Sequence, residues 1–289
     1  MARELRAGMS FSGDLAHIVI VEVIDGEIHL RQIDERPKAT DDIMWFMEIL
    51  KAVDRKTLSR LSRISISLDH SMAHFLRFPL DTTLSQVDQN QQVAWEFSQL
   101  LAEDEVKDLI NDVHLLRTNA REQVADALAV GFRRSLVFRI QQVCGDQHLN
   151  LQFLDVNLFA SEHALWYNHP ELRARIVCLL EVSHSLSVAS VLNNGRMTSY
   201  HSSFTSSSEE VVAFVRQLAQ ASDLTNIVAY GTALTYEMVK ALRATFGSPV
   251  ATLNPFRRLT IGAQTRNYEQ FLGLEHRFVP SIGCAVRTR

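Results

Sequence analysis

Short runs of β-branched apolar residues alternate along this chain with longer runs in which apolar positions recur every three or four residues. The first pattern is typical of strands and the second of amphipathic helices, so the sequence predicts a mixed α/β protein. The strands expected in the first half are Met9–Ala16 running into His17–Val23, Glu27–Ile33, Ile64–Leu68, Val113–Leu116, Ala125–Gly131 and Leu151–Val156. The helices expected there cover residues 41–53, 84–101, 134–143 and 157–166.

Two of these predicted helices have a well-defined apolar face. The apolar side chains that share one face of the first helix are Ile43, Phe46, Met47 and Leu50. In the helix over 84–101, Val93, Phe97 and Leu100 share one face, which we expect to lie in the core. The alternative for this second face is a groove for a partner. Trp95 points away from it.

The second half of the chain opens with the same pattern as the first. The strands predicted there are 176–182, 186–192 and 196–200. Asn194-Gly195 marks a hairpin turn, as Asp25-Gly26 does in the first half, because both central positions of a type I′ turn need positive φ. This shared plan indicates an internal duplication, with two unrelated hairpins as the alternative.

A helix is predicted after residue 205, with Ser206 as its N-cap. Glu209 follows three positions later and an apolar periodic run comes next, which is the pattern of a capping box. The helix is expected to end near Gln220. The elements predicted after it are a strand at Asn226–Tyr230 ending at Gly231 and a helix at Leu234–Phe246 closed by Gly247.

The composition is that of a globular protein, with 46% hydrophobic and 21% charged residues in a chain of 289. No stretch approaches the roughly 20 apolar residues needed to cross a bilayer. Residues Met1–Arg6 lack the apolar core of a signal peptide, so we expect a cytoplasmic protein. The formal net charge of −4 gives no electrostatic reason to expect nucleic acid as a partner.

Cysteine and histidine residues are present without a spacing that favours catalysis or metal binding. Cys144, Cys178 and Cys284 form no CxxC pair, and we expect them to be reduced, mostly buried thiols. His70 and His74 have a metal-ligand spacing if they lie on a helix, but no cysteine or carboxylate stands at a matching distance. The sequence therefore predicts no metal site.

Two further clusters have simple interpretations. His184 and Ser185 lie near Glu181, but the Gly-x-Ser-x-Gly elbow of a serine hydrolase is absent. Neighbours within one turn rarely reach the geometry of a catalytic relay, so a hydrolase is not favoured. Arg257-Arg258 is expected to be a solvated pair rather than a phosphate clamp.

Four segments in chain order have a more specific character. They are Phe78-Pro79-Leu80 with the later Trp95-Glu96, residues 127–136 with Phe153–Ala160, Pro249–Phe256, and Ser281–Arg287. Together they resemble the PilM-like type IV pilus assembly proteins, which are relatives of the cell-division protein FtsA in the actin superfamily. The matches cover most of the chain.

The resemblance implies an actin-like (ribonuclease H-like) duplicated α/β fold. The first core would comprise residues 1–80 and 125–175, with a small inserted subdomain at 81–124 that extends at most to about 150. The second core would comprise residues 176–289. Two related sheets are then expected, with Ser10 and Glu181 facing each other across a cleft.

The nucleotide-binding positions are where this chain departs from the family. Each phosphate hairpin of the superfamily typically begins with an Asp that orders Mg²⁺ and a Gly that lets backbone amides approach phosphate. Serine cannot supply the carboxylate, and glutamate supplies it on a longer arm. The residues that the resemblance assigns to this residual cleft are Ser10, Ser12, Gly13, Glu181, Ser183, Gly231 and Thr232.

A subdomain that forms one wall of the cleft in the family is also missing. Only residues 200–225 separate the second phosphate hairpin from the adenosine-side strand, which is enough for a loop and one helix. Phosphates in so open a cleft would stay hydrated, without the water-excluded electrostatics of phosphoryl transfer. We therefore expect a pseudo-ATPase rather than an enzyme, with no cofactor and no metal.

By resemblance, the chain is expected to be a non-catalytic adaptor in a type IV pilus or related secretion assembly. It would bind the N-terminal tail of a single-span inner-membrane protein of the PilN type, and would sit at the membrane only through that partner. The groove beside the small subdomain, with Phe78, Trp95 and Glu96, is the expected binding site.

Two alternatives use the cleft instead of the groove. One is a residual actin-like ATPase in which Glu181 holds the metal, and the other is a module that binds ATP and Mg²⁺ without hydrolysis. Titration with ATP and Mg²⁺ separates both from the adaptor. The resemblance leaves self-association open.

Overall fold

The computed structural model describes residues 3–38, 41–119, 123–247 and 250–288, so Pro249 of the third resembling segment lies outside the described residues. The strands of the described ranges are β1 (Arg3–Ser12), β2 (Leu15–Ile24), β3 (Glu27–Pro37), β4 (Arg63–Leu68), β5 (His74–Asp81), β6 (Leu109–Asn119), β7 (Val124–Arg133), β8 (Leu151–Val156), β9 (Ile176–Val182), β10 (Leu186–Asn193), β11 (Arg196–Phe204), β12 (Asn226–Tyr230), β13 (Val250–Thr252) and β14 (Thr260–Arg266). The α-helices are α1 (Asp42–Lys51), α2 (Arg55–Leu58), α3 (Gln86–Ser98), α4 (Glu103–Lys107), α5 (Arg134–Asp146), α6 (Asn157–Asn168), α7 (Ser208–Ala221), α8 (Tyr236–Phe246) and α9 (Val279–Val286). Within these ranges, each helix is too short or too polar to cross a membrane.

The first sheet has the strand order β14-β3-β2-β1-β4-β8. Strands β1, β2 and β3 form an antiparallel meander, and β4 and β8 extend it in parallel with β1. The chain reverses inside the predicted element Met9–Ala16, because Gly13 takes φ 61° in a tight turn between β1 and β2. Glycine adopts this left-handed conformation without a steric penalty.

Helix α1 covers this sheet with a face that includes half of the predicted one. Phe46 and Leu50 are buried as predicted, but Ile43 and Met47 are only half-buried. Trp45 and Ile49, which the prediction left out, are fully buried. The Trp45 ring meets Phe11 of β1 edge to face, with the ring centroids 4.8 Å apart. Burying the largest side chain of the helix against an aromatic partner fixes its rotation.

The second sheet repeats the plan of the first, with the order β11-β10-β9-β12-β13. Strands β9, β10 and β11 form an antiparallel meander, and β12 and β13 run parallel to β9. The turn residues Asp25-Gly26 and Asn194-Gly195 all have positive φ, at 51° and 91° and at 50° and 74°. The predicted pair of related cores, each a meander continued by parallel strands, is confirmed.

A third, small sheet has the order β5-β7-β6 and is covered by α3. Its strands span residues 74–133, so it begins before and ends after the boundaries 81 and 124 assigned to the inserted subdomain. Strand β7 therefore belongs to the small sheet and not to the first core. Strand β14, assigned by sequence to the second core, pairs with β3 of the first sheet instead.

Several helix ends differ from the sequence prediction, and two of them change the role of a residue. Helix α3 ends at Ser98, three residues before the predicted end, so the predicted core residue Leu100 lies beyond it and is 66% exposed. The N-cap of α7 is Ser207 rather than Ser206, and its hydroxyl accepts from the Glu210 backbone N–H. Helix boundaries depend on packing as well as on local sequence, so they are predicted less well than the helices themselves.

Helices α6 and α9 join the two halves by packing backbone against backbone. A Cβ atom built on Gly283 of α9 would lie 1.7 Å from the Ala160 carbonyl oxygen of α6. A Cβ on Gly8 of β1 would lie 1.9 Å from the Ser281 carbonyl oxygen. The absence of a side chain at both glycines is therefore what lets α9 lie between α6 and the first sheet.

Candidate functional site

A cleft of about 560 Å³ lies between the two halves of the molecule. The β1–β2 turn, the segment after β4, the β9–β10 turn and the end of β11 line it. Of the predicted cleft residues, Gly13 and Ser183 reach this lining. Its charged side chains are Asp14, Lys38 and Asp69. The duplicated meanders thus bring their first turns to one cavity, as the resemblance implies.

The backbone N–H of the turn between β1 and β2 is already hydrogen-bonded to a carboxylate of the same chain. The Gly13 backbone N–H donates to Oδ2 of Asp69 at 2.9 Å. The other oxygen of Asp69 accepts from the backbone N–H and the hydroxyl of Ser71, at 2.9 and 2.7 Å. Sequence reasoning missed Asp69, although it directly follows β4, whose carboxyl end adjoins that of β1 in the parallel pair.

Beneath the cleft, each half has a buried polar contact. Asn157, the first residue of α6, donates to the Phe11 carbonyl oxygen at 2.7 Å and to the Ser12 hydroxyl at 2.9 Å. In the second half, the Tyr230 hydroxyl donates to Oε2 of Glu181 at 3.2 Å. The sequence analysis assigned no role to Asn157, which lies outside both turns.

Ser10 and Glu181 do not face each other across an open cleft as expected. Ser10 is 0% and Glu181 6% exposed, because both lie on central strands of their sheets. Burial raises the pKa of Glu181 to about 8, and the negative charge of Asp69 raises it further. A carboxyl group held protonated in this way differs from the ionised ligand that Mg²⁺ needs.

The predicted adenosine-side pair, Gly231 and Thr232, packs against both turns without lining the cleft. Gly231 has φ 122°, and a Cβ there would lie 2.3 Å from the Val182 carbonyl oxygen. Nδ1 of His276 lies 3.0 Å from the Gly231 carbonyl oxygen, where it can donate a hydrogen bond. A Cβ built on Gly13 would lie 3.6 Å from the Thr232 hydroxyl oxygen. The two predicted loops are therefore in contact.

An aromatic stack joins the halves beside the cleft. The ring of His70 lies parallel to Phe75 with the centroids 4.2 Å apart, and Phe75 stacks on Tyr200 at 5.4 Å. Nε2 of His70 and the Tyr200 hydroxyl form a hydrogen bond. Burial lowers the pKa of His70, so its ring is neutral at physiological pH. His70 thus has a structural contact that involves no metal.

The residues predicted for the partner groove separate into two environments. Phe78 is 4% exposed and packs in the core of the small subdomain, and it also lines a surface cavity with Arg77 and Pro79. Its side chain follows strand alternation onto the face that α3 covers, beside Val93 and Phe97. Trp95 is 60% exposed on the outer side of α3, and Glu96 is half-buried.

The three cysteines are free and buried, as predicted. Burial raises the pKa of Cys144 to about 11 and those of Cys178 and Cys284 to about 12, so none is a reactive thiolate. Within the described ranges, no three His, Cys, Asp or Glu side chains converge as metal ligands would. His74 begins β5 and lies apart from the His70 contact.

Comparison with solved structures identifies the architecture. A chain of the PilM–PilN type IV pilus biogenesis complex superposes with a TM-score of 0.76 at 14% identity, covering 98% of each chain. A Bacteroides thetaiotaomicron protein of actin-like ATPase fold and unknown function matches at 0.59 and 14% identity, over 87% of this chain and 91% of the other. The ethanolamine utilization protein EutJ of Carboxydothermus hydrogenoformans matches at 0.52 and 10% identity, over 99% and 90%.

These likenesses define the class of the protein: it has an actin-like fold. The PilM-like resemblance inferred from sequence is confirmed at the level of that fold. Comparison of the sequence with family models gives no match, and the same is true of the curated proteins. The structural plan is therefore preserved where the sequence has diverged.

Proposed function

We propose that this chain is a non-catalytic adaptor that binds the peptide tail of a PilN-like membrane protein in a type IV pilus or related secretion assembly. The observation that carries the proposal is the contact between Gly13 and Asp69, in which a carboxylate of the chain itself accepts from the backbone N–H that the resemblance assigns to phosphate binding. Under this proposal, the chain keeps the fold that it shares with a chain of the PilM–PilN complex but lacks the groups that bind and hydrolyse nucleotide.

Two further features support the loss of catalysis. Glu181, the remaining carboxyl group of the second turn, is buried and hydrogen-bonded to Tyr230 instead of lining the cleft. Between β11 and β12 the described chain contains the single helix α7, so the cleft lacks a wall on that side. Phosphoryl transfer depends on preorganised groups in a site that excludes water, and this arrangement favours neither.

The small subdomain offers a surface for a peptide. Trp95 is 60% and Leu100 66% exposed on or just after α3. Leu109 and Val113 of β6 pack against α3, and Leu115, 53% exposed, follows them at strand period on the same side of the sheet. Large apolar side chains with this much exposure are candidates for interaction sites. We call Trp95, Leu100 and Leu115 the α3 surface.

Charge near the α3 surface suits a basic tail. Helix α4 begins with Glu103, Asp104 and Glu105, which are exposed and directly follow the segment that contains Leu100. Lys107 pairs with Glu103 and leaves an acidic excess. A juxtamembrane tail with basic residues and a few apolar anchors would find complementary groups here, with electrostatics mainly raising the association rate.

The test is binding of a synthetic peptide that carries the N-terminal tail of a single-span membrane protein encoded beside this chain. We expect Trp95→Ala to weaken binding about tenfold or more, because exposed tryptophans that anchor interfaces commonly contribute that much. Tyr236→Ala is the matched control, since Tyr236 is 74% exposed on α8, in the second half of the molecule. Fluorescence anisotropy gives the Kd of each variant.

Equal affinity of the two variants, both folded by circular dichroism, would place the peptide elsewhere. Point variants are preferable to deletion of residues 82–124, because that deletion would remove α3 and β6 and expose the core around Phe78. Absence of any binding by the wild-type chain would count against the adaptor proposal itself.

A further inference from the structure

A second cavity of about 560 Å³ lies apart from the cleft and shares no residue with it. The second half of α6 contributes Glu162, Trp166 and Tyr167 to its lining. Arg173 comes from the short 3-10 helix Pro170–Ala174, Arg258 from the loop before β14, and Arg287 from the end of α9. We call this cavity the α6–α9 pocket. Three guanidinium groups from three different segments therefore converge on it.

Two of these arginines are held by aromatic rings and not by carboxylates. The guanidinium carbon of Arg173 lies 5.8 Å from the centre of the Trp166 ring, and that of Arg258 lies 5.8 Å from the Tyr167 ring. Neither forms an ion pair with any acidic side chain of the described residues, in contrast to Arg257, which pairs with Glu171.

Cation–π contact engages the face of a guanidinium and leaves N–H groups at its edge for a ligand. Arg258 uses one of them, donating from Nη1 to the Tyr167 carbonyl oxygen at 3.2 Å. Arg257 and Arg258 were expected to form a solvated pair. In the structure Arg257 pairs with Glu171, and Arg258 contacts the Tyr167 ring.

Buried polar atoms in the same lining also lack a partner. Nε1 of Trp166 is shielded from solvent without a hydrogen-bond acceptor among the described residues, and Trp166 is 9% exposed. Oε1 of Glu162 is likewise buried and unpartnered. Because both atoms are shielded, the donors that the cavity exposes are the guanidinium groups.

Negative charge inside the pocket is small. Burial raises the pKa of Glu162 to about 8, with the charge of Asp155 adding to the shift, so the group is mostly a neutral O–H donor at pH 7. Asp155 itself is paired with Arg287, whose guanidinium also stacks on the Phe153 ring at 4.2 Å. Burial lowers the pKa of His163 to about 4, so His163 adds no charge.

We propose that the α6–α9 pocket binds a small organic oxyanion through the guanidinium groups of Arg173 and Arg258. A guanidinium edge matches both carboxylate and phosphate oxygens with paired hydrogen bonds. The cavity volume lies within the range of about 300–1,000 Å³ that small-molecule sites occupy. The ligand class is thus phosphate esters or polycarboxylates, which share the oxyanion.

The test uses the full chain with pyrophosphate and citrate as probes, in isothermal titration at an ionic strength matched with sodium chloride. We expect at least one probe to bind, and Arg173→Gln/Arg258→Gln to weaken it about tenfold or more, because hydrogen bonds to charged groups contribute that much each. Arg60→Gln/Arg216→Gln removes the same charge from exposed positions and should leave binding unchanged.

Lys38→Gln tests the cleft separately, because Lys38 lines that cavity and not this one. Binding of pyrophosphate alone would assign a phosphoryl ligand, and binding of citrate alone a carboxylate ligand; either supports the proposal. It is overturned if neither probe binds at millimolar concentration, or if the control pair loses binding equally. Loss in the Lys38 variant with retention in the Arg173/Arg258 variant would also overturn it.

Discussion

The backbone N–H of Gly13 donates to the Asp69 carboxylate at 2.9 Å, so the turn between β1 and β2 is already filled by an anion of the same chain. Both oxygens of Asp69 are used, since Ser71 donates twice to the second one. A phosphate that approached Gly13 would have to displace this contact and would meet the charge of Asp69. The Gly13 N–H is therefore already satisfied within the chain, whereas an actin-like ATPase would leave it free for its substrate.

Wild-type protein is expected to release no phosphate from ATP above background in the presence of Mg²⁺. The reason is the combination of the occupied Gly13 amide, the buried Glu181 and the open side of the cleft next to α7. A coupled phosphate-release assay measures the rate. Steady turnover that Glu181→Ala abolishes would show that the chain is a residual ATPase.

Asp69→Asn should increase the affinity for ATP or pyrophosphate in the cleft without restoring hydrolysis. The amide keeps the size of the side chain but removes the charge that repels phosphate and weakens its hold on the Gly13 N–H. Asp14→Asn is the matched control, because Asp14 lines the same cavity while the Gly13 contact stays intact. Isothermal titration measures the affinity of both variants for ATP and pyrophosphate. Equal affinities would show that Asp69 is not what keeps phosphate out of the cleft.

The buried carboxyl group of Glu181 should make stability depend on pH. Its pKa is about 8 in the folded chain, so a proton that the unfolded chain releases near pH 4.5 is retained when folded. Folding stability then falls as pH rises from about 4.5 to about 8. Glu181→Gln should remove this loss, gaining on the order of 1 kcal/mol over wild type at pH 5 and about 4 kcal/mol at pH 8.

Urea denaturation across this pH range measures that gain. Glu237→Gln, a change of the same charge at an exposed position of α8, is the control. A Glu181→Gln variant that is no more stable than wild type at pH 8 would mean that Glu181 is ionised in the folded protein.

The sequence predicted the elements and their duplication because hydrophobic period and turn chemistry are local. Asp25-Gly26 and Asn194-Gly195 specify their hairpins through positive φ at both positions, and both turns form as expected. The same local evidence failed for Leu100, because the end of α3 at Ser98 depends on packing. Strand β14 was missed for a similar reason, since most of its side chains are exposed and carry no apolar pattern.

The chemistry of the cleft was only partly visible in the sequence. Gly13 and Ser12 could be assigned from the resemblance, but their partners Asp69 and Asn157 come from segments far away along the chain. Glu181 was identified, yet its burial depends on the central position of β9, which no local pattern reveals. Long-range contacts thus decide whether a retained carboxylate is a metal ligand or a buried hydrogen-bond partner.

The contact between α6 and α9 provides the sharpest test of the fold. A side chain at Gly283 would place its Cβ 1.7 Å from the Ala160 carbonyl oxygen, inside van der Waals contact with rigid backbone. We expect Gly283→Ala to lower the free energy of unfolding by about 3 kcal/mol or more, because neither helix can move without disturbing the first sheet.

Gly145→Ala is the control, since Gly145 lies in α5 and a Cβ there meets no atom within 4 Å. That variant should be neutral or more stable by up to about 1 kcal/mol, the difference in helix propensity between glycine and alanine. Urea denaturation of the two variants gives both values. If Gly283→Ala were as stable as Gly145→Ala, the two helices would have to lie farther apart than described here, and the direct link between the halves would be lost.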